Sequence, residues 1–537
     1  MKIRVFAVAV VAALALAAAA DDVKRKAPPQ RPDPISPIDN PTIDGSSPIR
    51  FEWKSCSNAA SYTLMLTPCP NFTVPYRMLK IDAGRATSAT VPGGLYPGKK
   101  YWWIVDANNA KGGLFRRSFP GSFLTAPRKD GKAGDGILRP SLLPDDCYMD
   151  DLPTVDISGD SARQAILADG TDAVYFGHAY TALAPDRHIV WAAFTCGEDH
   201  AKAWPGPLAR SMDGGRTWER LDKRLPLSIA KRHCGSPVIR SVRRPNGSTR
   251  YIIFSRSIRR TLITTYSDDL GETWHDGPEH PIPTGMAPTG LVELKDGRTA
   301  LFGQTEARKR NNLPANLTKS ELKRFVERDI WMSVTADGGD TWSTPRIVAT
   351  VPDRNLCEPC CIRAKDGRLV MLIREESQAG RSMYAISGDD GATWTKPADT
   401  PWGLTGDRHE GVCLSDGRLF IAFRDKARGS SMYGQYVAWV GTVEDLEKCR
   451  PGQYRIHLLQ HYPDKRRNWS ATDCGYSGVH ELDDGTIVCV TYLKNAPDGR
   501  RQSVMSTRLK IAETDALWQA MRSAGAACTS SSNIPKR

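Results

Sequence analysis

The eight residues Ser387–Trp394, Ser-Gly-Asp-Asp-Gly-Ala-Thr-Trp, carry the pattern that decides the fold. The same Ser/Thr, Asp, Gly, Thr and Trp positions recur at Ser211–Trp218, Ser267–Trp274 and Thr335–Trp342. The Asp can cap a tight turn through backbone N–H groups, the Gly allows a positive φ, and the Trp is a large apolar anchor. Because the copies start roughly 50 to 70 residues apart, they predict a repeat architecture with four strands in each unit.

A second repeat runs in phase with the first and consists of Asp-Gly turns. These turns begin at Asp296, Asp366, Asp416 and Asp484, and each lies between two apolar runs. An Asp-Gly pair in that setting is typical of a β-hairpin. Each unit is therefore interpreted as a hairpin, a third strand, the eight-residue turn and a fourth strand, which is a blade of a β-propeller. The spacing predicts roughly six blades between residues 153 and 513.

The first residues are typical of a secretory signal peptide. Residues 1–20 combine Lys2 and Arg4 with an apolar core and an Ala-rich cleavage site before Asp21. The apolar run is too short for a transmembrane helix, so we expect a secreted or periplasmic protein with no membrane span. Thirteen cysteines in an exported chain favour some disulfides, and Cys56 could pair with Cys69.

The segment 35–127 predicts a small β domain. It contains a core Trp53 and the run Leu95-Tyr96-Pro97-Gly98, followed by Tyr101, Val105, Ala107 and Asn109. This pattern resembles a fibronectin type III module, and the resemblance implies a β-sandwich in which Tyr101 bonds back to the preceding turn.

The remaining segments complete the predicted domain order. Pro-rich or Gly-rich, charged composition predicts linkers at 21–34 and 128–152. A capping box predicts a short helix at Leu317–Asp329, and residues 514–537 predict a C-terminal helix and tail. The fold prediction is thus an all-β chain, a six-bladed β-propeller preceded by a fibronectin type III-like β-sandwich.

Composition narrows the classes of partner. The formal net charge is +13, but Lys and Arg are scattered rather than gathered in one block. This pattern favours a solvated basic surface, with attraction to acidic glycans as the alternative, and we expect no nucleic-acid partner. The lone Cys357, Cys360 and Cys361 cluster has no second ligand pair, so we predict no metal site and no cofactor.

The Asp-Gly turns also align polar residues of successive blades. Upstream of their turns lie Glu358, His409 and Tyr476, while Arg374, Arg424 and Tyr492 each follow the turn Asp by eight residues. The innermost strands of a propeller end at its central funnel, so these side chains are predicted to converge there. Packing alone does not explain the polar run Asp407–Glu410 in an otherwise apolar strand.

The eight-residue repeats on a propeller resemble the Asp boxes of the sialidase (neuraminidase) superfamily. In that family three Arg bind the sugar carboxylate, a Tyr activated by a Glu is the nucleophile, and an Asp is the acid/base. The resemblance implies that Tyr476 is the nucleophile, Glu358 its activator, and Arg374 and Arg424 two of the carboxylate-binding residues.

Two parts of the family pattern differ in this chain. The first-blade strand that should carry an Arg has His178 at about that place. The loop expected to hold the acid/base has Glu198 and Asp199, of which Asp199 is the better match and Glu198 the alternative. We add His178, Arg408 and His409 to the predicted substrate-binding residues.

The resemblance implies an exported glycoside hydrolase, similar to exo-α-sialidases, that cleaves a terminal acidic sugar from glycans. A phenol suits such a substrate because the sugar carboxylate would repel a carboxylate nucleophile. Two alternatives remain open. One is a propeller glycosidase or polysaccharide lyase that acts on uronate or rhamnose-containing glycans with His178 or His409 as acid/base. The other is a non-catalytic glycan-binding propeller.

Overall fold

The structure is a computed structural model. It describes residues 29, 32–38, 41–67, 79–95, 98, 100–109, 115–118, 121–126, 152–309, 326–352, 354–376, 381–427, 430, 432–462, 472–497 and 500–530. The chain divides into two compact units, Met1–Asp145 and Asp146–Arg537. The predicted signal peptide and the predicted linker 128–152, apart from its last residue, lie outside the described residues.

The first unit is built from β-strands that enclose one apolar core. The strands are β1 (Pro34–Ser36), β2 (Thr42–Ile43), β3 (Ile49–Trp53), β4 (Ser61–Thr67), β5 (Leu79–Gly84), β6 (Ser88–Val91), β7 (Lys100–Asn108), β8 (Phe115–Arg117) and β9 (Gly121–Thr125). One sheet has the order β1-β3-β6 and the other β2-β9-β7-β4-β5. Phe51, Trp53, Tyr101 and Trp103 are buried in their shared core. The likeness of this unit to a fibronectin type III module stays a prediction.

The second unit is also almost entirely strand. Its strands are β10 (Thr154–Asp156), β11 (Gln164–Ala168), β12 (Tyr175–Leu183), β13 (Val190–Gly197), β14 (Ala203–Ser211), β15 (Glu219–Arg220), β16 (Cys234–Arg243), β17 (Thr249–Arg256), β18 (Thr261–Ser267), β19 (His275–Pro283), β20 (Gly290–Glu293), β21 (Thr299–Gln304), β22 (Arg308–Lys309), β23 (Val326–Glu327), β24 (Ile330–Thr335), β25 (Arg346–Ala349), β26 (Leu356–Arg363), β27 (Leu369–Glu375), β28 (Met383–Ser387), β29 (Ala398–Asp399), β30 (Gly406–Cys413), β31 (Leu419–Asp425), β32 (Tyr436–Gly441), β33 (Tyr454–Leu459), β34 (Ser477–Glu481), β35 (Thr486–Leu493) and β36 (Ser503–Lys510). The α-helices are α1 (Ile229–Arg232), α2 (Val443–Glu447) and α3 (Ile511–Ser530).

Within the described part of this unit, the main strands form six sheets. They are β12–β15, β16–β19, β20-β21-β24-β25, β26–β29, β30–β33 with β10 beside β33, and β34-β35-β36 with β11. The first strand of each sheet contacts the first strand of the next, and β34 contacts β12, so the inner strands close a ring. The last sheet is closed by β11, which pairs antiparallel to β36. The predicted all-β propeller is confirmed.

Neighbouring sheets pack face to face, which explains the continuous apolar runs of the central strands. Phe302 and Met332 share a core with Met371 of the next sheet, and Leu372 shares another with Trp439. A strand covered on both faces has no reason to alternate polar and apolar residues. The strand β27 is buried throughout and becomes polar only at its last residues, Arg374 and Glu375.

The four Asp boxes are turns between the third and fourth strands of their sheets, on the outer side of each blade. In the first box, Thr217 donates from its N–H and its hydroxyl to Asp213, and the Gly215 N–H donates to Ser211. Partial burial would raise the pKa of Asp213, but these hydrogen bonds outweigh it and lower the pKa to about 2. The boxes therefore stabilise turns and lie away from the inner strands.

The box tryptophans are less buried than the repeat predicts. Trp274 is buried, whereas Trp218, Trp342 and Trp394 are only partly buried and pack against the edge of the core. The turn is short and ends near the rim, so one edge of the indole stays in solvent.

Two further sequence predictions can be compared with the structure. Most of the predicted helix Leu317–Asp329 lies outside the described residues, but Val326–Glu327 is a strand that pairs with Arg308–Lys309. The terminal helix starts slightly earlier than expected, at Ile511. The ten cysteines whose side chains the structure describes form no disulfide. Cys69, the predicted partner of Cys56, lies outside the described residues. Among described residues, no helix has both the length and the hydropathy of a membrane span.

Candidate active site

The inner strands carry bulges that turn single side chains into the centre of the ring. His178, Glu358 and Arg408 have φ values of 49°, 50° and 55°, and the strand register shifts at each of them. Gly235 and Gly475 have positive φ values in two further blades. A positive φ costs a residue with a side chain about 1–3 kcal/mol, and such strain clusters at functional sites. The bulges therefore mark the centre of the ring as the candidate site.

Tyr476, Glu358 and Arg374 form one hydrogen-bonded unit at this centre. The Tyr476 hydroxyl lies 2.5 Å from Glu358 Oε1 and donates to it. Arg374 Nη1 donates to Glu358 Oε2 at 2.9 Å and to the Tyr476 hydroxyl oxygen at 3.2 Å. The blades that carry these residues are not adjacent, so only a closed ring brings them together.

The protonation states in this unit suit transfer of the phenolic proton. Burial raises the pKa of Tyr476 well above its ordinary value, and the charge of Glu358 adds to the effect. Burial would also raise the pKa of Glu358, but the Arg374 charge and the Tyr476 hydrogen bond outweigh it and lower that pKa. The resting state is thus a phenol that donates to an ionised carboxylate, which is the geometry of a nucleophile and its general base.

Asp407 links the two arginines that were predicted to bind the substrate. Its Oδ1 lies 2.9 Å from Arg374 Nε, and its Oδ2 accepts from Arg424 Nη2 at 2.8 Å. Arg424 Nη1 also donates to the carbonyl oxygens of Thr472 and Cys474. Burial would raise the pKa of Asp407, but the two guanidinium groups hold it far below its usual range. Asp425, the residue after Arg424, pairs with Arg455.

A second cationic pair lies on another side of the ring. Arg408 is fully buried, and its guanidinium lies 4.9 Å from the centre of the Tyr180 ring. Arg240 Nη2 donates to both oxygens of Glu410 at 3.0 Å, and Arg408 Nη2 lies 2.9 Å from Glu410 Oε2. Two guanidinium groups share one carboxylate here, which leaves this side of the centre positive.

The first blade contributes two neighbouring histidines, of which His178 contacts Tyr476. The His178 ring lies 4.9 Å from the Tyr476 ring and 4.4 Å from the His200 ring. His200 Nδ1 is 2.9 Å from Asp473 Oδ1, and the Tyr492 hydroxyl donates to the same oxygen at 2.6 Å. Burial and then the nearby His200 lower the pKa of His178 to about 3, so His178 is neutral at physiological pH.

Comparison with known proteins assigns part of this propeller to a family. Residues 326–469, which contain Glu358, Arg374 and Arg424, match the model of the BNR repeat-like domain. No curated protein matches the chain.

Solved structures similar to this chain include proteins with different activities. A protein of unknown function from Dyadobacter fermentans has 16% identity and a TM-score of 0.47, with 65% of this chain and 99% of that chain covered. The α-L-arabinofuranosidase Arb93A from Fusarium graminearum has 11% identity and a TM-score of 0.44, with coverages of 65% and 98%. The NanB sialidase from Streptococcus pneumoniae has 13% identity and a TM-score of 0.38, with coverages of 87% and 94%. At these scores the chemistry must be argued from the chain's own residues.

Three predicted site residues of the propeller have other contacts in the structure. Asp199 caps the 3-10 turn His200–Lys202, because its Oδ1 accepts from the N–H groups of Ala201 and Lys202. Glu198, the alternative, is exposed and pairs with Lys202. His409 is buried, stacks on Phe423 and contacts the Leu404 carbonyl oxygen. The prediction that His409 faces the funnel is therefore wrong, because the bulge of β30 turns Arg408 there instead.

The sequence reasoning did not select several residues of the site, namely Asp407, His200, Asp473, Arg240 and Glu410. One signal in the sequence distinguishes Arg408 from His409. His178, Glu358 and Arg408 each lie eight residues before the Asp of the following turn. Among the described residues, no group of three or more His, Cys, Asp or Glu side chains has the arrangement of a metal site.

Proposed function

We propose that this protein is a glycoside hydrolase with a tyrosine nucleophile. The observation that carries the proposal is the 2.5 Å hydrogen bond from the Tyr476 hydroxyl to the ionised Glu358 carboxylate. Arg374 contacts both partners and is held from its other side by Asp407. Packing alone does not require a buried phenol to lie among charges and to donate a hydrogen bond to a carboxylate. The arrangement therefore indicates a functional site.

In the proposed reaction Glu358 takes the phenolic proton while the Tyr476 oxygen attacks the anomeric carbon. The leaving group receives a proton, and water later releases the sugar from the tyrosine with retention of configuration. Arg374 stabilises the negative charge that develops on the phenol oxygen, because its Nη1 already lies 3.2 Å from that atom.

The charges around the centre favour a sugar that carries a carboxylate. Five cationic side chains, Arg240, Arg374, Arg408, Arg424 and Lys426, lie among four carboxylates, Glu358, Asp407, Glu410 and Asp473. Burial lowers the pKa of Lys426 to about 8, so it is still mostly protonated at neutral pH. The net positive charge would attract an anionic glycan into the funnel. Because a neutral His178 stands in place of a first-blade Arg, the contacts to the sugar carboxylate would differ from those in the sialidases.

The test is a screen for sugar released from sialosides, uronides and rhamnosides by the whole protein. Tyr476→Phe and Glu358→Gln should each reduce turnover by orders of magnitude and leave the fold intact. The reason is that Glu358 accepts the proton that Tyr476 loses, so the reaction needs both groups. Tyr266→Phe, which removes a hydroxyl from an outer strand, is the matched control and should be fully active. A folded Tyr476→Phe variant with near-normal turnover would refute the proposed nucleophile.

The same screen separates hydrolysis from the alternative eliminative cleavage of a uronate. Elimination leaves an unsaturated sugar that absorbs ultraviolet light, whereas hydrolysis does not. If the protein binds these glycans but releases nothing, the non-catalytic alternative is correct. Export, directed by residues 1–20, remains part of the proposal and predicts a mature chain that begins near Asp21.

A further inference from the structure

We propose that His200, positioned by Asp473, is the acid/base residue that protonates the leaving group and later activates water. The inference rests on the proposed function, since it names the group that completes the same reaction. It replaces the carboxylic acid that the family pattern leads one to expect at Asp199.

Asp473 fixes the orientation of the His200 ring. It is 3% exposed, accepts from the Tyr492 hydroxyl at 2.6 Å and from Gln502 Nε2 at 3.2 Å, and lies 2.9 Å from His200 Nδ1. With Nδ1 directed at this carboxylate, the Nε2 side of the ring points away from it. A buried carboxylate that fixes the orientation and the tautomer of a histidine is the arrangement of a histidine acid/base.

The position of His200 suits a donor to the leaving group. About a third of its side chain is exposed, at 34%, whereas Tyr476 is buried. Both rings flank His178, whose ring centre is 4.4 Å from that of His200 and 4.9 Å from that of Tyr476. His200 is therefore separated from the nucleophile by one ring and is the more exposed of the two, which suits a donor to the departing part of a glycan.

The other candidates for this role are engaged elsewhere. Asp199 accepts from two backbone N–H groups that start the turn on which His200 lies, so its contribution is to hold the loop. The Glu198 side chain is 69% exposed and pairs with Lys202. The pKa of His178 is about 3, so that residue lacks a proton to donate near neutral pH.

The proton balance of the reaction closes with these residues. Protonated His200 gives its Nε2 proton to the glycosidic oxygen as the bond from the anomeric carbon to that oxygen breaks. At the same time the Tyr476 oxygen bonds to the anomeric carbon and Glu358 holds the phenolic proton. In the second step neutral His200 takes a proton from water, the hydroxide bonds to the anomeric carbon, and the Tyr476 oxygen leaves and recovers its proton from Glu358.

The experiment compares leaving groups of different acidity. The probes are 3′-sialyllactose against 4-nitrophenyl sialoside, and a glucuronyl disaccharide against 4-nitrophenyl glucuronide. Nitrophenolate is a good leaving group and needs no proton, whereas a sugar hydroxyl must be protonated as it leaves. His200→Ala should therefore reduce kcat/KM about 100- to 10,000-fold on the disaccharide and less than about tenfold on the nitrophenyl glycoside. Asp473→Asn should show the same split with a smaller loss, which a merely structural role would not produce.

Glu198→Gln, in the same loop, is the control and should match the parent on both probes. Melting temperatures of all variants exclude unfolding as the cause. If His200→Ala loses equal activity on both kinds of probe, or none on either, His200 is not the proton donor even though the protein is a hydrolase. If the parent cleaves neither these probes nor any glycoside of the screen above, the proposed function itself is wrong, and this inference is wrong with it.

Discussion

Asp407 should be the residue on which the stability of the site depends most. It is 2% exposed and is the carboxylate that links two buried guanidinium groups, Arg374 and Arg424. Asp407→Asn keeps the shape but removes the charge and turns an amide N–H₂ toward cations. Removing one partner of a buried ion pair costs about 3–5 kcal/mol, because the other charge stays buried. Arg374 keeps Glu358, so the loss should lie at the lower end of this range, about 3 kcal/mol.

The matched control is Asp425→Asn. Asp425 is also fully buried and pairs with a single arginine, Arg455, at 2.9 Å. Burial raises the pKa of Asp425 despite that partner, whereas the pKa of Asp407 is lowered. The ionised form is thus favoured at Asp407 and disfavoured at Asp425. Asp425→Asn should therefore cost less free energy of unfolding and should leave turnover nearly unchanged.

Urea unfolding gives the free energies of unfolding of the parent and the two variants, with the transition of the propeller followed separately from that of the first unit. The measurement should be repeated across pH. The folded-state pKa of Asp407 is far below its unfolded value of about 4. Its contribution is thus complete above pH 4 and disappears only as the pH falls toward the folded value. The difference between parent and Asp407→Asn should stay constant from pH 7 to pH 5 and narrow below pH 4. A difference under about 1 kcal/mol at pH 7 would refute the electrostatic role of Asp407.

Two other perturbations follow from local geometry. Gly475 has a φ of 96°, and a Cβ there would lie 2.6 Å from the Cβ of Arg424, so Gly475→Ala should lose stability and turnover together. Gly485→Ala, at a φ of 74° with open space around it, should lower the free energy of unfolding by only about 1 kcal/mol and leave activity unchanged. Equal effects of the two substitutions would contradict the crowding at Gly475. Because the pKa of Asp213 is about 2, its box stabilises the protein above pH 4 and loses that effect as the pH falls through 2. Asp213→Asn should flatten this part of a plot of melting temperature against pH, and an unchanged slope would refute the assignment.

The parts of the fold that local chemistry specifies could be predicted from the sequence. An Asp-Gly turn determines a hairpin within a few residues, and the Asp boxes mark the outer turn of four of the six blades, so the repeats predict the blades. Once the hairpins are aligned, the convergence of Glu358, Arg374 and Tyr476 follows from a constant offset. Physical reasons for each residue type, such as a phenol beside a carboxylate, then lead to the candidate nucleophile.

Features that depend on the path of the backbone could not be predicted in the same way. The bulge in β30 shifts the register by one position and turns Arg408 inward in place of His409. In the first-blade loop, the cap formed by Asp199 directs the neighbouring His200 toward the site, although Asp199 is the better match to the family pattern. Asp473 precedes its blade, outside every repeat, so no offset from a turn indicates its position.

The pairing of β11 with β36 has a consequence for a chain that is still being made. The early strand leaves the ribosome hundreds of residues before its partner, and until then β11 presents an open edge to other chains. Closure over such a separation is slow because the intervening loop must lose entropy first. Glu358 and Arg374 are made well before Tyr476 and Asp473, so no unfinished chain contains the complete proposed site. Under the proposed function, catalysis can begin only when the C-terminal blade has been synthesised and the two ends of the propeller have met.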